Sequence, residues 1–161
     1  MPYKRGTPGA DLTQGQRSAM RRKVREVPSE SATARLRQAG LRPTRQRNEL
    51  AKLLFRNGHR HLTAESLHGE AVAAGIKVSL ATVYNTLHQF TQAGLLLQVV
   101  VDPTRSYFDT NTVNHQHFYC EDEAILTDIP GSGITVDALP TPPAGMEVKR
   151  VDVVVRVGRP H

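Results

Sequence analysis

Residues 78–94 read VSLATVYNTLHQFTQAG, and the predicted architecture of the whole chain is built around them. Ser79 is placed to cap a helix, because its side-chain oxygen can accept a hydrogen bond from a free backbone N–H of the first turn. Gly94 is placed to end that helix. Between them, apolar side chains recur at the helical period; they are Leu80, Val83, Leu87 and Phe90. The stretch therefore predicts one amphipathic helix.

The opposite face of this predicted helix carries polar but uncharged side chains. They are Ser79, Thr82, Tyr84, Asn85, Thr86 and Gln89. Hydroxyl, amide and phenol groups can form hydrogen bonds with base edges and phosphates in a DNA groove. For this helix taken alone, an ordinary solvated polar face is the alternative interpretation.

Composition and charge limit the class of protein. The chain has 161 residues and a net charge of +6, with the positive excess in residues 1–108 and a net negative charge in residues 109–161. A basic N-terminal part favours a polyanionic partner such as nucleic acid. The alternative interpretation is that so mild a charge gradient only keeps the protein soluble. The chain has no apolar run near the length of about 18 residues that a membrane helix needs, and its single cysteine, Cys120, excludes an internal disulfide framework. We therefore expect a cytoplasmic protein with no membrane partner.

Helices and a hairpin follow one another between residues 29 and 110. The helices are predicted at residues 31–39, 44–58, 63–74 and 78–94, and the hairpin at residues 95–109. The short, glycine-containing link between the last two helices is typical of a helix-turn-helix, whose second helix enters the major groove. With the hairpin as a wing, residues 29–110 predict a winged helix-turn-helix DNA-binding domain.

The flanking parts of the chain have different patterns. Residues 1–28 are basic and poor in large apolar groups, which predicts a disordered or partly helical extension. Residues 111–161 contain three candidate strands, at residues 115–120, 124–128 and 148–157, and the prolines of LPTPPAG exclude a long helix between the last two. This second unit is predicted to be a small α/β or mostly β dimerisation domain, because a unit of about 50 residues is marginally stable alone. The predicted fold class is α+β.

Four residues ahead of and within the predicted second helix are further candidates for DNA contact. The proline that follows Arg42 biases this residue away from helical backbone, and Thr44 is the expected cap. Arg45 and Arg47 lie in the first turn, where cations mildly oppose the helix dipole. That local cost indicates that both guanidinium groups serve contact with DNA phosphates.

Two histidines near residue 116 are candidate metal ligands. His115 and His117 are two apart in an extended segment, so both imidazoles project from one face, where they can chelate a metal or face a porphyrin. Asp109, Asp128 and the distant His61 could complete a mixed nitrogen and oxygen set that suits Fe(II), Mn(II), Co(II) or Zn(II). Ordinary surface histidines are the alternative interpretation of an H-x-H pair alone.

These segments together resemble the ferric uptake regulator family. The resemblance is carried by GLRPTRQR (residues 40–47), HLTAESL (residues 61–67), SLATVYNTL (residues 79–87), YFD (residues 107–109) and HQHFYC (residues 115–120). It implies a dimeric, metal-sensing repressor, not an enzyme, with a winged DNA-binding domain and a dimerisation domain. The implied ligands of one divalent ion per subunit (Fe, Mn or Zn) are His61, Asp109, His115, His117 and Asp128. The implied contacts with a double-stranded DNA operator are Arg42, Thr44, Arg45, Arg47, Ser79, Thr82, Tyr84 and Asn85.

The chain departs from the family pattern at its cysteines. The structural zinc site of the family needs paired C-x-x-C motifs, but Glu123 stands where the partner of Cys120 would be, and the C-terminal pair is missing. We therefore expect no Cys₄ zinc. Asn114 and Gln116 stand where some members have histidine and aspartate, so a further metal site of those members is also expected to be lost.

These departures are similar to the iron response regulator branch of the family, known from alphaproteobacteria. Asn85 after the recognition tyrosine and the segments GME (residues 145–147) and VDVV (residues 151–154) fit that branch. The resemblance implies haem as an effector at His115 and His117, and haem or a haem-synthesis enzyme as a partner. The alternatives are a family regulator that senses Mn, Zn or peroxide, and a metal- or haem-binding protein without sequence-specific DNA binding. An enzyme with a two-histidine, one-carboxylate iron site is the least supported alternative, since no residues dedicated to a substrate stand out.

Overall fold

The structure is a computed structural model that describes residues 31–131 and 133–160. The helices are α1 (Ala32–Gln38), α2 (Arg45–Phe55), α3 (Ala64–Ala73) and α4 (Leu80–Gln92). The strands are β1 (His61–Leu62), β2 (Leu97–Asp102), β3 (Arg105–Asp109), β4 (His117–Cys120), β5 (Ile125–Asp128) and β6 (Val154–Val157). The basic extension predicted for residues 1–28 lies outside the described residues.

Each helix begins at a hydroxyl cap. The side-chain oxygens of Ser31, Thr44, Thr63 and Ser79 each accept a hydrogen bond from the backbone N–H three residues later. Thr63 forms a full capping box, since Ser66 in turn accepts from the Thr63 backbone N–H at 3.0 Å. The predicted cap at Ser79 is thereby confirmed, and the position of α4 in the chain is fixed by local chemistry.

The link between α3 and α4 is tight because of Gly75. This residue has φ of +72°, a left-handed backbone that glycine adopts without strain. The N–H of Gly75 donates to the Val72 carbonyl at 3.0 Å, and the N–H of Ile76 donates to the Ala71 carbonyl at 2.9 Å. These two bonds end α3 as in a Schellman motif and turn the chain towards α4, which begins five residues after Gly75. The predicted helix-turn-helix is present.

The first core lies among the helices and under β1 and β3. Val83, Leu87 and Phe90 of α4 are fully buried there, as predicted. Two predictions about α4 are wrong: Leu80 is exposed, and Thr86 is buried. Leu80 is the first residue of the helix, at its N-terminal end. Thr86 lies on the same face as the buried residues, and its hydroxyl donates a hydrogen bond to the Thr82 carbonyl at 2.8 Å.

Two three-stranded sheets complete the fold. The first has the order β1-β3-β2 and is antiparallel, and it forms the wing. The second has the order β5-β4-β6, with β4 antiparallel to β5 and parallel to β6. The described residues after Asp109 contain strands and no helix, in keeping with the proline-rich segment. The predicted α+β class and the winged helix-turn-helix are confirmed, while the boundary at residues 110 and 111 stays a prediction.

A second core joins the two sheets. It consists of Val99, Val101 and Tyr107 from the wing together with Tyr119 and Leu126 from the second sheet. The wing therefore packs against the second sheet instead of projecting freely into solvent. Within the described residues, no helix is both long and apolar enough to cross a bilayer.

Candidate metal centre

Two cross-strand pairs, one in each sheet, create the candidate metal centre. His61 of β1 lies opposite Asp109 of β3, and His117 of β4 lies opposite Asp128 of β5. Residues directly opposite on antiparallel strands have Cβ atoms about 5 Å apart, so each register places one imidazole beside one carboxylate. The edges of the two sheets meet here, and His115 enters from the segment that precedes β4.

The five side chains that the sequence predicted as ligands converge. Asp109 Oδ2 lies 3.3 Å from His61 Nε2, 2.9 Å from His115 Nε2 and 3.2 Å from His117 Nε2. Asp128 Oδ1 lies 2.7 Å from His61 Nε2 and 3.0 Å from His115 Nε2. One ligand atom from each residue lies within 4.8 Å of all the others. The structure thus brings together residues separated by up to 67 positions in the sequence.

Neighbouring backbone groups orient these side chains. The Nδ1–H of His115 donates to the Val113 carbonyl at 2.6 Å, which leaves the Nε2 lone pair directed at the cluster. The backbone N–H of Asn111 donates to Asp109 Oδ1 at 2.7 Å, which leaves Oδ2 for the three imidazoles. Supporting hydrogen bonds of this kind are typical of metal ligands, because they fix the tautomer and the ring direction.

His61 gives the most direct indication that a cation fits. Within the part of the chain that the structure describes, its Nε2 atom is buried and makes no hydrogen bond, although two carboxylate oxygens are close. A buried nitrogen without a partner is costly. Opposite ligands of an ion with bonds of about 2.1 Å are about 4.2 Å apart, so five atoms within 4.8 Å need only a small contraction to bind one ion. Three imidazoles and two carboxylates suit a divalent transition metal.

The electrostatics favour a charged Asp109 carboxylate in this cluster. Burial alone would raise the pKa of Asp109, but His117, His61 and the Asn111 backbone N–H outweigh it and hold that pKa well below its ordinary value. Burial would lower the pKa of His115, but the Val113 carbonyl and the carboxylates of Asp128 and Asp109 raise it instead. The cluster therefore attracts cations, and a metal ion would compete with protons for His115.

Access to the cluster is one-sided. The Asp109 and His117 side chains are 0% and 4% exposed, whereas that of Asp128 is 39% exposed. Asp128 is therefore the ligand that solvent and an arriving ion reach first.

The predicted DNA-contact residues of α4 lie on its outer side. Asn85 is exposed, and Thr82 and Tyr84 are half-buried. The hydroxyl of Ser79 is already used as the helix cap, and it also pairs with the Thr82 hydroxyl at 2.8 Å. The Tyr84 hydroxyl donates to the carboxylate of Glu65 on α3, a partner that the sequence analysis missed.

The residues predicted to contact phosphates divide into exposed groups and groups that are already hydrogen-bonded. Arg42 and Arg45 are exposed, and Thr44 caps α2. The Arg47 guanidinium, in contrast, donates to Gln89 Oε1 of α4 at 2.6 and 3.1 Å and to the Arg42 carbonyl at 2.8 Å. Arg47 therefore positions α4 against α2, and its contact with phosphate stays a prediction.

Sequence reasoning also missed Lys77. This exposed residue lines a cleft of about 570 Å³ together with Arg45 and Gln46. It lies in the link to α4, and its position beside a cation of α2 depends on packing that no local sequence signal reveals.

Comparisons with known proteins agree with this architecture. The chain is 35% identical over 99 residues to the peroxide-responsive repressor PerR of Staphylococcus aureus, and the match spans 62% of this chain and 66% of that protein, just under two thirds. The ferric uptake regulator of Pseudomonas aeruginosa, solved with manganese, superposes with a TM-score of 0.62 at 26% identity, over 81% of this chain and 98% of the other. The Vibrio cholerae ferric uptake regulator shares the fold, with a TM-score of 0.61 at 21% identity over 79% and 98% of the two chains. The model of the ferric uptake regulator family matches residues 38–151. The chain belongs to the ferric uptake regulator family.

Proposed function

We propose that this protein is a metal-responsive, DNA-binding transcription regulator that acts as a homodimer. The observation that carries the proposal is the five-residue cluster, which takes ligands from both sheets. His61 and Asp109 belong to the wing sheet, while His115, His117 and Asp128 belong to or precede the second sheet. The proposed role is regulatory and not enzymatic.

The position of His61 gives the cluster a route to DNA binding. This residue lies three positions before the start of α3, and α3 leads through the turn at Gly75 into α4. The imidazoles and carboxylates of the two sheets would hold a divalent ion, which would supply a positive charge shared by both sheets. The side chains then hold the wing sheet at one angle to the second sheet, so the placement of α4 in the dimer depends on the cluster. The effect of the metal on DNA affinity can be no larger than the difference in its own affinity for the two arrangements.

The DNA-reading surface in this proposal is the outer side of α4 with the basic groups beside it. Tyr84, Thr82 and Asn85 would contact base edges and phosphates, and Arg42 and Arg45 would contact the backbone. In a dimer, two copies of α4 would read two half-sites related by the molecular two-fold axis. Among the described strands, β6 pairs on one side only, with β4, and its other side is a candidate for the dimer contact.

The native effector is the finer part of the proposal. Iron, manganese and zinc all suit the ligand set, and iron is our first choice on the resemblance to the iron response regulator branch. The second effector that we propose is haem, bound by His115 and His117. These side chains are only 13% and 4% exposed and both face carboxylates, so they would have to leave the cluster to ligate haem.

The test is DNA affinity measured in defined effector states. Duplexes would be selected from a random library by the purified protein with Mn²⁺, and their dissociation constants compared in chelator, Fe²⁺, Mn²⁺, Zn²⁺ and haem. We expect affinity to rise with a divalent ion by about 5- to 150-fold and to lose this dependence in H115A/H117A, but not in the exposed control H59A. Affinity indifferent to chelator and to every effector would exclude the proposal. A salt titration with no preference for the selected duplex would instead support a metal or haem carrier.

A further inference from the structure

The residue that precedes His61 is bound to the residue that follows Asp109. The backbone N–H of Arg60 donates to Thr110 Oγ1 at 2.9 Å, and the N–H of Thr110 donates to the Arg60 carbonyl at 3.1 Å. Arg60 therefore continues the pairing of β1 with β3, so a movement of this ladder carries Arg60 together with the two candidate ligands.

The side chain of Arg60 connects this point to α3. Its guanidinium donates to both carboxylate oxygens of Glu70, with Nη1 and Oε2 3.1 Å apart. The two side chains are 22% and 27% exposed, so water screens this ion pair less than a fully exposed one. A bidentate arginine–carboxylate pair constrains direction as well as distance, and so it can transmit a displacement.

Glu70 lies where a displacement would reach the DNA-reading helix. It belongs to the last turns of α3, and its carbonyl accepts the N–H of Ala74 at 2.9 Å, just before the turn into α4. Leu67 and Ala71 on the adjoining face of α3 share the first core with Val83 and Leu87 of α4. Since that core is close-packed, α3 and α4 move together.

We propose that the Arg60–Glu70 ion pair positions the helix-turn-helix in response to the candidate metal centre. Neither residue is a metal ligand or a DNA contact in the proposed function, on which this inference rests. The pair acts as a strut between the segment that holds His61 and Asp109 and the last turns of α3. Its loss uncouples α4 from the cluster while leaving the ligands in place.

Arg56 provides a matched control for this proposal. Its Nη2 atom also contacts Glu70 Oε2, at 3.3 Å, but its side chain is 51% exposed and it is the C-cap of α2, not a neighbour of His61 in the chain. R56Q removes one positive charge next to Glu70, as R60Q does, and leaves the connection to His61 intact. Comparison of the two variants distinguishes the effect of a lost positive charge from the effect of a lost link between Arg60 and Glu70.

The experiment measures three quantities in the full-length protein and in R60Q, E70Q, R60Q/E70Q and R56Q. These are the affinity for Mn²⁺ without DNA, the affinity for a wild-type-selected duplex with Mn²⁺ and with chelator, and the thermal midpoint. We expect R60Q and E70Q to retain Mn²⁺ affinity. The factor by which Mn²⁺ increases DNA affinity should be at least about threefold smaller in each variant than in the wild type. The double variant should lose no more than either single variant, and R56Q should retain the full gain.

The outcomes distinguish this inference from the function on which it rests. A wild-type protein whose DNA affinity ignores Mn²⁺ and every other effector overturns both. A responsive wild-type protein with the full gain in both R60Q and E70Q, even at a lower thermal midpoint, overturns the strut alone and assigns the pair a structural role. If R60Q does not fold, E70Q carries the same test. It removes the ion pair from the other side, keeps the volume of the Glu70 side chain and leaves Arg60 in place.

Discussion

His61 lies opposite Asp109 across the β1–β3 ladder, and His61 Nε2 is 3.3 Å from Asp109 Oδ2. Strand β1 has only two residues, yet its pairing decides whether an imidazole from the helical part of the chain reaches the second sheet. A slip of one residue would turn the side chain to the opposite face of the ladder. The candidate metal centre is therefore a property of strand register as much as of residue type.

Removal of the buried carboxylate should abolish most metal binding. In D109N the amide keeps the side-chain volume but loses the negative charge that faces His61, His115 and His117. We expect Mn²⁺ affinity to fall at least about 10-fold, since even outer partners of metal ligands contribute that much. Isothermal titration calorimetry on both proteins measures this loss. D137N, which changes an exposed aspartate outside the cluster, should bind as the wild type does, and equal affinities in D109N and wild type would remove Asp109 from the ligand set.

Metal affinity should depend on pH through His115. Its raised pKa keeps this imidazole protonated at higher pH than usual, and a metal ion must displace that proton. Mn²⁺ affinity should therefore increase from pH 6 to pH 8, with proton release that calorimetry in buffers of different ionisation enthalpy can count. Constant affinity over this range, with no proton release, would contradict the assignment.

The metal-free protein should show the corresponding dependence of stability on pH. Because the pKa of Asp109 is lower in the folded state than in the unfolded state, this group adds stability above its unfolded pKa of about 4. That stability is lost as the pH falls towards the folded pKa. Because the pKa of His115 is higher in the folded state, this group adds stability below its unfolded pKa of about 6.5. That stability is lost as the pH rises through the folded pKa. The contribution of these two groups should therefore be greatest between about pH 4 and 6.5. Urea unfolding of wild type and H115Q across this range tests the sign, because the variant should lose the decline on the alkaline side.

Tyr84 should affect sequence recognition more than folding. In Y84F the ring is retained and only the hydroxyl that donates to Glu65 is lost. We expect the affinity for a selected duplex to fall about two- to tenfold, the value of one hydrogen bond, with little change in thermal midpoint. Random duplex DNA is the internal control, since its binding depends mainly on phosphate contacts. A similar loss on both DNAs, or on neither, would contradict a base contact by the hydroxyl.

Helix α4 should depend on its buried face for stability. Leu87 is fully buried in the first core, so L87A should lower the free energy of unfolding by about 2–5 kcal/mol. The matched control is L139A, because Leu139 is 50% exposed and its truncation should cost less than about 0.5 kcal/mol. Urea unfolding monitored by circular dichroism gives both values, and similar losses in the two variants would be inconsistent with this core.

The sequence by itself determined the local elements and the candidate ligands. Ser79 and Thr44 cap their helices because the hydroxyl and the N–H that it accepts from are three residues apart. Val83, Leu87 and Phe90 reach the core because the helical period places them on one face. The residue types of the five candidate ligands, and the family motifs around them, were readable without coordinates.

Only the tertiary structure decided which of these groups meet. Arg47 contacts Gln89 across 42 positions, Tyr84 contacts Glu65, and Arg60 contacts Glu70, and no spacing rule along the chain reveals these pairs. They depend on the crossing of α2, α3 and α4 and on the register of two sheets, which are set by the packing of the whole core. Local chemistry fixes where a helix begins, but the distances among side chains far apart in the sequence follow from how the helices and sheets fit together.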